Sequence, residues 1–197
     1  MTDAANPLFA HNEPGKRFIV SQVADLITRP HNTEAAVKTA MAQVRNFVSM
    51  NLLQVRDKRG SGRTAHNLFA PSDVIVAKVL RTLTQFGVAD RETLQAASRA
   101  CYFFDSNPSF PAASHPITTA IVYFYKRGPE RAYWTFQLDV FTDPEGNRQL
   151  LANLYDPARF DVERNPAFEL GGTILIPVWQ WFPTIIGPHP DDTKGMN

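Results

Sequence analysis

A single cysteine, Cys101, is the whole thiol content of these 197 residues, so an intrachain disulfide is excluded and the cytosol is the simplest compartment. Long apolar runs are missing as well. The most apolar stretch, Ile174 to Trp181, is too short to cross a bilayer and contains Pro177, so no membrane span is expected. The first residues lack a basic start followed by an apolar run, and no secretory signal is expected either. There is no internal repeat, heptad or low-complexity tract. The five histidines, His11, His31, His66, His115 and His189, contain no close pair at metal-ligand spacing, so neither a metal nor another cofactor is expected. Gly171-Gly172 has no downstream lysine and makes no phosphate loop. Asp139, Asp143, Asp156 and Asp161 sit in contexts that favour solvation or capping over a paired catalytic set. Cys101 lies on an apolar helix face and is expected to be a buried structural thiol. The chain is therefore read as having no catalytic residues and as not being an enzyme.

What the chain does have is Phe and Pro, 14 and 15 of them, the signature of a folded chain with many turns. Its formal charge of +1 also hides an asymmetry: residues 1–89 carry 11 Lys or Arg against 6 Asp or Glu, and residues 90–197 carry 9 against 13. A polyanion would sit on the first half.

Along that half, apolar residues at three- and four-residue steps predict two short helices. The first has Ser21 as its cap and Val23, Ala24 and Ile27 inward. The second is capped by Asn32 or Thr33, with Val37, Ala40, Met41, Val44 and Val48 on one face. Leu52, Leu53 and Val55 predict a strand that enters a hairpin with a basic tip at 56–63 and returns through Thr64 to Phe69. Pro71-Ser72-Asp73 starts a third helix that closes at Gly87, and Asp90 starts a fourth carrying Leu94, Ala97 and Cys101. In the second half, Ile117–Tyr125, Tyr133–Phe141, Gln149–Tyr155 and Gly172–Trp181 predict four strands, the last at an edge or bulge because of Pro177.

Helix, turn, helix, basic hairpin, helix is an order that can present the second helix to a major groove and the hairpin to the flanking phosphates. On this expectation Lys38, Gln43 and Arg45 reach DNA from helix 33–48, and Arg56, Lys58, Arg59 and Arg63 hold phosphates from the hairpin, with His66 beside them. The same stretch resembles the MerR-like winged helix-turn-helix family. Phe18 to Ala24 is similar to that family's opening helix, and Arg45 to Leu53 to the stretch in which an arginine and aromatics run into a Gly-Leu-Leu step. Arg63 resembles the wing arginine, Leu68 to Asp73 the entry to the third helix, and Val79 to Val88 the end of that helix. Asn51 stands where the glycine is usual, and asparagine tolerates the left-handed conformation better than most residues. The family's long dimerising helix has no counterpart here. The resemblance implies binding of double-stranded DNA as a two-fold dimer and control of transcription.

The expected fold class is α+β: a flexible arm over 1–16, a winged helix-turn-helix domain over 17–101, a linker or loop over 102–116, a small antiparallel-sheet domain for sensing or dimerisation over 117–187, and a flexible tail over 188–197. The strands carry more aromatics than one small core holds. Tyr123, Tyr125, Tyr133, Trp134, Trp179 and Trp181 are thus expected at a dimer interface or pocket, contacting a second copy, a small molecule or another protein. The resulting expectation is a cytoplasmic, nucleoid-associated transcriptional regulator. The alternatives are a winged-helix interaction adaptor that does not bind DNA and a phage-like architectural or excision factor.

Overall fold

The computed structural model describes residues 16–60, 65–103, 116–127, 133–156 and 167–187. Most of the expected arm, all of the expected tail and most of the 102–116 loop lie outside them. The chain enters in extended form, and Phe18 exchanges both backbone hydrogen bonds with Phe69, each at 2.9 Å. Helix α1 (Val20–Thr28) follows at once. It starts before Ser21, so that residue is not its cap. The Gln22 side chain instead accepts the Ile19 N–H at 3.0 Å. Helix α2 (Glu34–Ser49) is capped by Thr33, whose hydroxyl accepts from the Ala36 N–H; it buries the expected Ala40 and Val44 together with Phe47, while Val37, Met41 and Val48 are half-buried. Asn51 ends it in the left-handed region, at φ 59°, while the Leu52 N–H reaches back to the Phe47 carbonyl at 2.8 Å. An asparagine at that position makes the turn that glycine makes elsewhere.

Leu52 and Leu53 do not form the expected strand. Both are buried, and the Leu52 carbonyl accepts from the Ser98 hydroxyl at 2.7 Å, so they are core residues held by a side chain rather than by a ladder. Pairing begins later, between β1 (Asp57–Arg59) and β2 (His66–Leu68), with Arg59 opposite His66. Helix α3 (Pro71–Gln85) is buried almost all round over its first ten residues and touches α1, α2 and most of the helices that follow it. Helix α4 (Arg91–Tyr102) is capped by Asp90, which accepts the Thr93 N–H at 2.8 Å. The capping bonds hold the Asp90 carboxyl below the usual aspartate range.

Residues Ile117 to Tyr125 form a helix, not a strand: α5 (Pro116–Arg127). Their β-branched and aromatic content suggests a strand. Ile117, Ala120, Ile121 and Phe124, all buried, fall at helical steps, and Pro116 sits at the helix start, where its missing N–H costs nothing. Three antiparallel strands then form one sheet in the order β4-β3-β5: β3 (Thr135–Thr142), β4 (Arg148–Tyr155) and β5 (Glu169–Ile176). The β3–β4 turn is closed by Asp143, whose carboxylate accepts the Asn147 N–H at 2.7 Å. The predicted strand Gly172–Trp181 divides at Pro177, after which the chain turns into a short 3-10 helix (Val178–Trp181) and α6 (Phe182–Ile186). Between Val140 and Phe141 the β3–β5 register shifts by a bulge at Gly171, where an added Cβ would lie 3.3 Å from the Val140 carbonyl oxygen.

Phe136, Leu138, Leu154 and Ile176 point from one sheet face into the same buried cluster as Phe69, Ile75 and Leu80. That apolar cluster runs without a break from Phe18 to Ile186. The molecule is thus a mixed helix and sheet fold of the α+β type, and among the described residues no helix is long and apolar enough to cross a membrane. Cys101 is fully buried in the core, where burial pushes its thiol up to about 12. A thiol reagent such as dithiobis-nitrobenzoate at pH 8 is therefore expected to leave the folded chain unlabelled and to react in step with global unfolding by urea. Rapid labelling of the native chain would contradict this burial.

Candidate nucleic-acid interface

The exposed side of α2 is Glu34, Ala35, Lys38, Thr39, Ala42, Arg45, Asn46 and Ser49, a continuous stripe along the whole helix. Its opposite side packs on α1 and α3. Only the first residue of the stripe is acidic, where the helix dipole favours a negative charge. Lys38 and Arg45, seven positions apart, project from the same side about 10 Å apart along the axis. The residues around them are short, which lets a polyanion come close to the helix. Gln43 is turned elsewhere: its side chain accepts a hydrogen bond from the Arg81 guanidinium of α3, and it is half-buried.

In the hairpin, Lys58, Arg59 and His66 are exposed, and the cross-strand pairing of Arg59 with His66 puts both side chains on one face. Lys58 lies on the other face, so the β1 cations straddle the ribbon. Arg63 lies outside the described residues. Arg56 is engaged inside the fold: Nε and one terminal nitrogen donate to the two oxygens of Asp73, at 3.0 and 3.2 Å. Asp73 is fully buried and also accepts from the Ala70 N–H and the Tyr102 hydroxyl, both at 2.8 Å. Burial raises its carboxyl above the usual aspartate range, against the pull of Arg56, the Ala70 N–H and Tyr102. Burial, with the adjacent Asp73, also holds the Tyr102 phenol well above its ordinary value, so it stays a donor. Arg56 is thus the root of the hairpin, fastened to Asp73 at the start of α3, which also accepts from Tyr102 at the end of α4.

Two exposed cations that the sequence reading did not single out flank this region. Lys16 and Arg17 precede Phe18, next to the hairpin base, and the Lys16 ammonium lies 5.2 Å over the Phe18 ring. Only the Phe18–Phe69 pairing, invisible in local periodicity, brings them there.

The six aromatics proposed for an interface or pocket separate. Trp134 is a core residue, 2% exposed and 6.2 Å from the Tyr123 ring, which corrects its placement at a surface. Tyr123 is half-buried, and Tyr125 donates its hydroxyl to the Ile186 carbonyl at 3.1 Å. Trp181 lies under the Lys78 ammonium, 5.1 Å from its centroid. Tyr133 is exposed and stacks edge-on against Trp179 at 5.7 Å, just beyond the end of β5.

The outer face of the sheet departs from expectation in another way. Asp139 and Asp156 are buried rather than solvated, while Asp161 lies outside the described residues. Thr173 and Gln137 each donate to the Asp139 carboxylate at 2.5 Å, and Tyr155 donates to the Gln137 carbonyl at 2.5 Å. This is a hydrogen-bonded polar strip across three strands. Among the described residues, no group of three His, Cys, Asp or Glu is placed to hold a metal ion. Compared with protein-family models, with curated proteins and with solved structures, the chain matches none of them.

Proposed function

We propose that this chain is a DNA-binding transcriptional regulator of winged helix-turn-helix type. In this reading α2 lies in the major groove, the hairpin grips the phosphates beside it, and the sheet-bearing half joins two copies or receives a ligand or protein. The observation that carries the reading is the exposed stripe of α2, short-chained and cationic at Lys38 and Arg45, followed in sequence by a ribbon whose exposed residues include Lys58, Arg59 and His66. A helix face of that kind suits close approach to a groove, and cations on both faces of a ribbon suit the phosphates on either side of it. Arg56 and Gln43 act within the fold in this scheme and support the contacting residues from behind.

The test is fluorescence anisotropy with a labelled duplex of mixed sequence, titrated over a series of salt concentrations. Binding is expected to weaken linearly on a log–log plot. Each phosphate contact contributes about 0.9 to the slope, so the Lys58→Ala, Arg59→Ala double variant is expected to lower it by about 2. The Lys38→Ala, Arg45→Ala pair is expected to weaken binding further at a selected site than at random sequence. No binding by the intact chain at 20 mM salt would sink the reading and leave the adaptor in its place.

A further inference from the structure

The described residues leave five large apolar side chains well exposed, and three of them belong to one place: Leu170 and Leu175 on β5, and Tyr133 beside its end. Strand β5 lies at the edge of the sheet, and among the described residues no strand pairs with its outer side. Apart from the bulge at Gly171, it carries little of what normally protects an edge. Its eight residues, Glu-Leu-Gly-Gly-Thr-Ile-Leu-Ile, include neither lysine nor proline, and their only charge is Glu169 at the first position. A row of unpaired backbone donors and acceptors flanked by exposed leucines is a surface that pairs with another strand.

We infer that this edge pairs antiparallel with the β5 edge of a second copy, about a two-fold axis at Thr173, to make one continuous six-stranded sheet. The strand is complementary to itself in this register. On the regular part of the strand, beyond the bulge at Gly171, Ile174 of each copy falls opposite Gly172 of the other, so the larger side chain meets a position that has none. Around Gly172 an added Cβ would touch nothing within its own chain, which leaves open space beside the strand for the incoming Ile174. The two Glu169 carboxylates fall at opposite ends of the ladder and do not meet, and no other like charges oppose one another. A self-pairing edge also gives the isologous, closed contact expected of a two-fold dimer.

This deepens the dimer that the DNA-binding reading calls for, but its test needs no DNA. Sedimentation equilibrium of the full chain at 5–100 µM is expected to give twice the 22.1 kDa chain mass. Two variants then probe the edge. Leu175→Lys places a charge on the paired strand, and Gly172→Val fills the space required by Ile174 of the other copy from a position where an added Cβ meets nothing within 4 Å. Both are expected to sediment as folded monomers, with the circular dichroism spectrum of the parent. A monomeric parent overturns the inference, as does a dimer that persists in a folded Leu175→Lys or Gly172→Val chain. A monomeric parent that still binds duplex DNA would remove the edge pairing alone, whereas a dimer without affinity for DNA would remove the reader alone.

Discussion

Replacing Asp73 with alanine is expected to destabilise the fold by about 3–5 kcal/mol, the range for breaking a buried ion pair by removing one member. The side chain is fully buried, and its loss leaves the Arg56 guanidinium, the Tyr102 hydroxyl and the Ala70 N–H without the acceptor they share. Each of these groups has been drawn away from water, so each contributes its own desolvation cost once unpaired. Arg56→Ala is expected to be milder, about 2 kcal/mol, because Arg56 is 28% exposed and the carboxylate keeps two of its other donors. Urea unfolding followed by tryptophan fluorescence measures both changes. A loss below about 1 kcal/mol for Asp73→Ala would show that water replaces the missing oxygens and that the network does not hold the hairpin.

Phe69→Ala is expected to cost a similar amount, about 3–5 kcal/mol, for a different reason. The ring is completely buried within the core cluster, and its backbone is the only described pairing partner of the entering strand at Phe18. Removing the ring leaves a cavity that α3 is poorly able to fill, because packing fixes it on nearly all sides over its first ten residues. Hydrogen exchange is expected to report the loss locally as well, with the Phe18 and Phe69 amides losing protection ahead of those in α3. Phe86, which is 64% exposed at the end of α3, supplies the contrast: its alanine variant is expected to stay within about 0.5 kcal/mol of the parent. Equal losses at Phe69 and Phe86 would contradict this division between core and surface.

Helices α2, α3 and α4 were legible because each carries a local stop or start, Thr33 and Asp90 as caps, Asn51 as a left-handed end and Pro71 as a first-turn residue, whereas α1 was legible from its inward Val23, Ala24 and Ile27 although its cap was misplaced. The strand at Thr135–Thr142 was legible from the alternation of Phe136, Leu138 and Val140, the strands at Arg148–Tyr155 and Glu169–Ile176 only in approximate place. Helix α5 was not, because residues such as Ile117, Val122 and Tyr123 favour strands when read singly. Only the positions that meet α3 and α4 reveal the helical period. Cationic side chains could be found in the sequence, but their employment could not. Arg56 and Lys58 are near neighbours of the same charge. One is turned inward by an aspartate 17 residues away and the other is left in solvent, a difference that depends on tertiary contacts. Gln43 likewise has a partner that local sequence does not reveal, Arg81 on another helix.

The fastening of Arg56 to Asp73, which Tyr102 shares, divides the hairpin into a part that the fold dictates and a part that it does not. The root is specified by residues far apart in the chain, so substitutions there must be accepted together or not at all. Beyond the root, Lys58, Arg59 and His66 have their side chains in solvent and bear none of the core. Natural variation, or a designer, can therefore change the charge and shape of the ribbon's exposed tip at these residues while its attitude to the helices stays fixed, much as a tool bit is exchanged in an unchanged chuck.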